Sequence, residues 1–143
     1  MREKYRVKTE ITVYFSDCDL MHHCNNARFF TFMEQGRVAY YKKLKALDLR
    51  NMNATSAFGF ILAEISCTFE SPATIDEKLV IGVRVSEVRN RSFHMKYEIR
   101  EKKSRRLVAL GQSVQVMYNY RKKKPFPIPD SLRRKINKLE GLR

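Results

Sequence analysis

The sequence predicts an α+β fold, in which an antiparallel sheet of about five strands packs against one long helix. Residues 60–70, 78–89, 92–101 and 106–120 alternate apolar and polar side chains, which is the period of a half-buried strand. The segments between them, such as "NR" and "KKS", are too short for a parallel crossover, so neighbouring strands should be antiparallel. A sheet of this length needs a helix to cover one face, which gives the two layers.

One strand and one helix are expected before this run of strands. Residues 6–15 alternate in the same way and predict the first strand. In residues 26–47 apolar side chains recur every three or four positions, as on one face of a helix of about five turns. Asn25 or Asn26 is the expected N-cap, because an Asn side chain accepts hydrogen bonds from the first free amides of a helix. The apolar face comprises Phe29, Phe30, Met33, Gly36, Ala39 or Tyr40, and Leu44.

Gly36 stands in the middle of this helix, where glycine costs about 1 kcal/mol relative to alanine. We therefore expect another backbone to lie close against the helix at that point. The segment that follows, residues 47–59, has no clear period and is expected to be a loop.

The composition indicates one domain, residues 1–143, that is 43% hydrophobic. A domain of this size often adds buried area by oligomerising. No window approaches the roughly 18 apolar residues of a membrane span, and the N-terminal residues lack the apolar region of a secretory signal, so we expect a cytoplasmic protein. The three cysteines, Cys18, Cys24 and Cys67, are odd in number and form no CxxC pair, so reduced thiols are expected.

The formal charge is +14, and half of it lies in a basic C-terminal extension, residues 121–143. A surface this positive attracts phosphates, whether on nucleic acid, lipid headgroups or a nucleotide-bearing substrate. The simpler interpretation is a solvated tail or a surface helix, expected near residues 130–139 after an extended proline-rich exit. If so, a chain ending near Tyr120 should keep its activity. Nucleic acid is not the expected partner, because no RNA-recognition signature appears and the aromatic residues keep core spacing.

The stretch "FSDCDLMHHCNN", residues 15–26, concentrates polar and ionisable side chains just before the predicted helix. His22 and His23 beside Asp17 and Asp19 are residue types that bind metals. Adjacent histidines in an extended turn point apart, however, and no later His/Cys pair supplies the remaining ligands. Neither a metal nor another cofactor is expected.

The residues around this stretch resemble a known family. "VYFSDCDLMHHCNNARFFTFMEQGR" (13–37) resembles the signature of hot-dog-fold acyl-CoA thioesterases of the 4-hydroxybenzoyl-CoA thioesterase type, and "CTFESPATIDEKLVIGVRV" and "EVRNRSF" resemble later parts of that family in the same order. The resemblance implies a sheet wrapped around the long helix and hydrolysis of an acyl-CoA thioester to a carboxylic acid and CoA. It also implies a homodimer with two sites at the subunit interface, which can pair again into a tetramer.

The resemblance assigns roles to particular residues. Asp19 matches the catalytic carboxylate of the family, and the backbone amide of Asn26 matches the group that polarises the thioester carbonyl. Arg89 and Arg91 match the turn that meets the CoA phosphates. The chain departs from the family at His22, where Gly is common. It departs also at Cys24, usually β-branched, and at Phe29, usually Tyr. The expected substrate-binding residues are His23, Asn25, Phe29, Arg89 and Arg91.

Several alternatives remain open at this point. Asp19 could act as a general base or as a nucleophile that forms a transient anhydride, or it could simply cap a turn. His23 could position substrate or hold the loop, and Cys24 is more consistent with a small packing residue than with a nucleophile. The substrate could be a thioester of acyl carrier protein rather than of CoA. A hot-dog hydratase, or a module that binds acyl-CoA or nucleic acid without hydrolysis, would be a different function.

Overall fold

The computed structural model describes residues 4–45 and 59–142 of the chain. The predicted loop at 47–59 therefore lies almost entirely outside the described residues. In chain order, the elements are β1 (Val7–Thr12), α1 (Arg28–Leu44), β2 (Gly59–Phe69), β3 (Lys78–Val88), β4 (Ser92–Glu101), β5 (Leu107–Asn119), β6 (Lys124–Pro125) and α2 (Asp130–Glu140), with a 3₁₀ turn at Phe15–Asp17 before α1.

The strands form one antiparallel sheet in the order β1-β3-β4-β5-β2, and the two-residue β6 pairs with the end of β5. The five predicted strands and their antiparallel pairing are thus confirmed, and β6 was not predicted. β1 and β2 are the outer strands of the sheet. The register of β1 on β3 runs from Val7 opposite Val83 to Thr12 opposite Lys78, so the segment after β1 leaves the sheet where β3 begins.

Helix α1 packs on one face of the sheet through Gly36. A Cβ placed on Gly36 would lie 2.6 Å from Val83 Cγ2 and 3.1 Å from Ile81 Cγ2, so only glycine allows the helix to come this close to β3. A close approach is therefore present at Gly36, but the neighbours are side chains of the sheet and not the backbone that was expected. The buried residues of α1 are Phe29, Phe32, Met33, Gly36, Arg37, Tyr40, Tyr41 and Leu44.

One residue of α1 differs from the expected apolar face, and one charged side chain of this helix is buried. Phe30, which was placed on the apolar face, is 37% exposed, and Phe32 is buried in its stead. Arg37 is buried, although its Nη2 also lies 4.0 Å from Oε2 of the exposed Glu34. Its Nη1 donates to the Tyr97 hydroxyl at 3.2 Å, and that hydroxyl also lies 2.6 Å from Ser113 Oγ. The spacing pattern treats charged residues as solvent-facing, so it could not identify a guanidinium held inside by partners on β4 and β5.

The C-terminal extension is an integral part of the fold, which corrects the interpretation as a solvated tail. Ile128 before α2, and Leu132 and Ile136 within it, are buried in the core. Glu140, also buried, accepts hydrogen bonds from the Tyr40 hydroxyl at 2.6 Å and from the Val85 amide at 2.8 Å. Neither α1 nor α2 is long and apolar enough to span a membrane, and this finding covers the described residues only.

The sheet has two chemically different ends. The "loop end" comprises residues 13–27 and the β2–β3 connection, beside the start of β3. The "basic end" lies at the far end of β3, about 30 Å away along eleven residues of strand. It gathers the exposed cations of the C-terminus of α1, the β3–β4 turn, the β5–β6 turn and α2, which are Lys42, Lys43, Lys45, Arg89, Arg91, Arg121, Lys122, Lys123, Lys124, Arg134 and Lys135.

Candidate functional site at the start of the long helix

Asp17 fixes the segment that leads from β1 to α1. Its Oδ2 accepts the Tyr14 amide at 2.9 Å, and its Oδ1 lies 3.4 Å from Arg28 Nε. Its backbone carbonyl accepts the Asn25 amide at 2.7 Å. Asp17 is therefore fully used in holding the loop, and its partners lie on both sides of the polar stretch.

Asp19 is exposed on a tight turn inside this segment. Its Oδ1 accepts the Met21 amide at 2.9 Å, its carbonyl accepts the His22 amide at 3.0 Å, and its own amide donates to the His23 carbonyl at 3.0 Å. This is the local hydrogen bonding by which Asp stabilises a turn. Within the described part of the chain, Oδ2 of Asp19 makes no hydrogen bond, so one carboxylate oxygen stays available for a ligand.

His22 has a backbone conformation that glycine adopts more easily than other residues. Its φ is 64°, in the left-handed region that favours glycine and is strained for other residues. Glycine, which the resembled family often has at this position, adopts such a φ without strain, whereas this chain has the larger His side chain there. The side chain of His22 is exposed.

Just before the start of α1, one backbone amide has no hydrogen-bond acceptor among the described residues. The helix begins at Arg28 with Ala27 as its N-cap, and no side chain caps it, so the expected N-cap at Asn25 or Asn26 was wrong. Asn25 instead stabilises the turn before the helix, since its Oδ1 accepts the Ala27 amide at 3.0 Å. The carbonyls of Asn25 and Asn26 accept the first amides of the helix, those of Arg28 and Phe29. For the Asn26 amide, the described residues contain no hydrogen-bond acceptor. A free amide at a helix N-terminus can stabilise negative charge on a ligand.

A cleft of about 250 Å³ opens between this helix start and the β2–β3 connection. Three of the predicted site residues, His23, Asn26 and Phe29, line it. Asp19 lies on the turn just before the cleft and is not part of its lining. The remaining lining residues are Cys24, Phe69, Glu70, Ser71, Pro72 and Ala73. Sequence reasoning did not select Phe69 to Ala73 as site residues, although the motif "ESPATIDE" marked the connection that carries most of them.

Phe29 is mainly a core residue. It is 2% exposed and makes edge-to-face contacts with Phe32 and Phe69, with ring centroids 5.5 and 5.4 Å apart. Only its edge can therefore reach the cleft. Phe29 therefore forms part of the floor of the cleft and makes no polar contact with a ligand.

Arg89 and Arg91 lie at the basic end, far from Asp19 in the same chain. Arg89 binds the Glu87 carboxylate with two nitrogens: Nε donates to Oε1 at 3.1 Å and Nη2 to Oε2 at 3.4 Å. The C-terminal segment covers the backbone of this turn, because Ile128 donates to the Asn90 carbonyl and Arg133 to the Arg89 carbonyl. One subunit does not bring these arginines together with Asp19.

The cysteines and histidines of the stretch form no metal site in the structure. Among residues 4–45 and 59–142, no three His, Cys, Asp or Glu side chains lie close enough to hold an ion. Cys24 is buried, and burial with the nearby Asp17 raises the pKa of its thiol to about 12. A thiol that remains protonated is a poor nucleophile, which supports the interpretation of Cys24 as a packing residue.

Residues 13–136 match the thioesterase-like superfamily. Among curated relatives, the 1,4-dihydroxy-2-naphthoyl-CoA hydrolase of Synechocystis is 28% identical over 124 residues, which cover 84% of this chain and 88% of the relative. The uncharacterized protein YsmA of Bacillus subtilis is also 28% identical, over 88 residues. That match covers 62% of this chain and only 56% of YsmA, so it spans about half of that relative.

Solved structures share the fold over nearly the whole chain. The Synechocystis 1,4-dihydroxy-2-naphthoyl-CoA thioesterase Slr0204 superposes with a TM-score of 0.82 at 22% identity, covering 91% of this chain and 94% of that one. A thioesterase from Thermus thermophilus, solved with coenzyme A and Zn, gives a TM-score of 0.84 at 25% identity and covers 99% of both chains. The predicted resemblance to hot-dog-fold thioesterases is confirmed.

Proposed function

We propose that this protein is a thioester hydrolase that cleaves an acyl-CoA to a carboxylic acid and CoA. The chain belongs to the thioesterase-like superfamily, which is the premise of this proposal. The proposal takes residues 1–143 as one domain with Asp19 as its catalytic carboxylate. The observation that carries it is the exposed Asp19 turn next to the start of α1, where the Asn26 amide is free. A carboxylate and an oxyanion donor are the two groups that thioester hydrolysis requires.

Asp19 can supply the attacking group in either of two ways. As a general base its carboxylate takes a proton from water while the water oxygen attacks the thioester carbon. As a nucleophile it attacks that carbon itself, and water then hydrolyses the anhydride. In both, the negative charge that develops on the carbonyl oxygen is stabilised by the Asn26 amide. One such donor is typically worth about 2.7 to 4 kcal/mol of barrier. The C–S bond then breaks, and CoA leaves as a thiolate that takes up a proton.

The remaining polar groups of the cleft position the substrate in this proposal. His23 lines the cleft with an exposed side chain, and Asn25 keeps the helix start in place through its bond to Ala27. Phe29 forms part of the floor. Substitution of Asn26 should act only through geometry, because the proposed contact is made by its backbone.

The CoA phosphates require a second copy of the chain. β2 is an edge strand of eleven residues, and along it Leu62 and Phe69 are 40% and 41% exposed. Long unpaired edges of this kind are usually covered. Two copies related by a two-fold axis would pair their β2 strands antiparallel, which sets Gly59 of one strand against Phe69 of the other. The basic end of each subunit, with Arg89 and Arg91, then meets the loop end of its partner. Further pairing of such dimers into tetramers is compatible with this arrangement.

A thioester of acyl carrier protein is the second candidate substrate, and the basic end is the observation that favours it. Its cations come from four segments, so the positive surface is wider than the β3–β4 turn alone. The carboxylates at this end include Glu87, which is already paired with Arg89, and Asp130. A broad positive surface suits an acidic carrier protein as well as a single nucleotide.

The test compares Asp19→Asn with Glu70→Gln. Glu70 is the other exposed carboxylate next to the cleft, so it is a matched control for charge and position. CoA release from short, medium, long and aromatic acyl-CoAs is measured for both variants and the wild type. We expect Asp19→Asn to lower kcat/KM by at least about 100-fold, as the loss of a general acid–base group typically does, while Glu70→Gln changes it much less.

Other outcomes would change the assignment. Loss of activity in Glu70→Gln with retention in Asp19→Asn would move the catalytic role to the β2–β3 connection and leave Asp19 a turn residue. Hydrolysis of acyl carrier protein thioesters, with none of the acyl-CoAs cleaved by wild type, would select the second candidate. A folded wild type that cleaves neither class would contradict the proposal.

A further inference from the structure

Cys18 and Cys24 stand directly opposite each other across the Asp19 turn. They form an isolated antiparallel bridge, which closes the loop from residue 18 to residue 24. The flanking residues supply its two hydrogen bonds: the Asp19 amide donates to the His23 carbonyl at 3.0 Å and the Asn25 amide to the Asp17 carbonyl at 2.7 Å. The two cysteines themselves are thus a non-hydrogen-bonded pair, the type in which facing residues come closest.

This geometry suits a disulfide. In a non-hydrogen-bonded antiparallel pair, Cα atoms are about 4.5 Å apart, which is within the roughly 4.4 to 6.8 Å that disulfides span. Facing residues of such a pair also project to the same side of the ribbon. Consistent with this, both cysteines pack toward the hydrophobic core: Cys24 belongs to it and Cys18 lies against it. Both are free thiols in this structure.

We propose that Cys18 and Cys24 are a thiol pair that a low-molecular-weight disulfide oxidises to an intramolecular disulfide across the Asp19 turn. Cys18 is half-buried and Cys24 is 4% exposed, so Cys18 is the sulfur that an external reagent can reach. The seven residues in the resulting ring include Asp19 and His23. The modification therefore ties together the two ends of the segment that presents Asp19, and it does not depend on the proposed hydrolysis.

The chemistry is a pair of thiol–disulfide exchanges. The Cys18 thiolate attacks one sulfur of the external disulfide, whose S–S bond breaks and releases one thiolate, leaving a mixed disulfide on Cys18. Cys24 then loses its proton and attacks the Cys18 sulfur, and the second external thiolate leaves. The Cys24 thiolate is a minor form because burial raises its pKa, and the position of Cys18 directly opposite supplies the high effective concentration that makes this attack possible. Two protein thiols are oxidised to one disulfide while the reagent is reduced to two thiols, which take up the two protons.

The test uses the whole protein with oxidised glutathione as the probe. After incubation, acid quench and alkylation, intact mass and tryptic peptides are measured. Both cysteines fall on the single peptide 9–28, because the chain has no Lys or Arg between Lys8 and Arg28. We expect this peptide to lose two hydrogen atoms and to escape alkylation, and Cys67 to remain alkylated. Dithiothreitol should restore both thiols.

Variants and denaturant test whether the folded geometry, and not only the short distance in sequence, makes Cys18 and Cys24 form a disulfide. Cys67→Ser should behave as the wild type, whereas Cys18→Ser and Cys24→Ala should never lose two hydrogens. The ratio of ring closure to mixed disulfide should be at least about tenfold higher in native protein than in urea, where only chain flexibility sets the effective concentration. A persistent glutathione adduct on Cys18, a disulfide that includes Cys67, no reaction in the folded protein, or an equal ratio in urea would each overturn the proposal.

Discussion

The two ends of the sheet are built in different ways. At the loop end, the groups proposed for catalysis lie within one continuous segment, and neighbours in sequence hold them: Asp19 bonds to residues two to four positions away, and Asn25 to Ala27. The basic end brings together the C-terminus of α1, the β3–β4 turn and the C-terminal part of the chain, which are far apart in sequence. The C-terminal segment helps to join them by covering the β3–β4 turn. The geometry of the proposed catalytic groups is set mainly by local contacts, whereas the charge that would receive a polyanionic substrate is assembled by tertiary packing.

Removal of the residues after Tyr120 is the change expected to have the largest effect on the basic end. It deletes Ile128, Leu132 and Ile136 from the core, each worth about 1.5 to 3 kcal/mol of burial. It also leaves the Val85 amide without the carboxylate of Glu140. We expect a loss of more than about 4 kcal/mol of unfolding free energy, measured by urea denaturation. The shortened chain should then fail to keep activity, contrary to the expectation from the sequence.

Glu140→Ala isolates the polar part of that effect. It leaves the apolar face of α2 intact and removes the acceptor for Tyr40 and Val85, which should cost about 1 to 3 kcal/mol. Asp130→Asn, on the exposed first turn of the same helix, is the matched control and should cost less than about 1 kcal/mol. Equal stability of the shortened and full chains would mean that α2 does not organise the basic end.

Arg91→Gln tests whether the basic end serves the active site. Arg91 is exposed on the β3–β4 turn, and a guanidinium there can bind phosphate. We expect KM for an acyl-CoA to rise about tenfold, which corresponds to loss of one charge-assisted contact, with kcat nearly unchanged. The same acyl group on pantetheine, which lacks the nucleotide, should show no change in KM. Lys103→Gln at the loop end is the control, and an equal effect there would indicate general electrostatic attraction only.

The comparison also accounts for what the sequence could predict. Period-two and helical patterns identified every long strand and both helices, because burial on one face fixes those periods. The Asp19 turn was predictable because its contacts are local. The position of Arg89 relative to Asp19 was not, since it depends on strand register and, in the proposed dimer, on the second subunit. Arg37 and Glu140 were missed for a related reason: their buried charges are compensated by Tyr97 and Tyr40, which are 60 and 100 residues away in sequence.

His22→Gly tests how much strain the loop end carries. The φ of 64° at His22 costs a non-glycine residue about 1 to 2 kcal/mol, part of which glycine returns through its greater freedom in the unfolded chain. We therefore expect a gain of about 0.5 to 1 kcal/mol in unfolding free energy. A matched change at a position without positive φ, His23→Gly, should destabilise. A loss of stability in His22→Gly would show that its side chain makes contacts that outweigh the strain.

The smallest effect expected is a pH dependence at the β4–β5 turn, which lies next to the start of β3 at the loop end. The Glu101 carboxylate accepts the amides of Lys103 and Ser104 at 2.8 and 2.9 Å, and these bonds lower its pKa from 4.5 to about 2. A depressed pKa contributes stability that is present above the ordinary value and lost as pH falls. Glu101→Gln should therefore lower Tm at pH 7, and its gap from wild type should close between about pH 4.5 and pH 2. A gap that stays constant across this range would mean that the turn depends on the shape of the side chain and not on its charge.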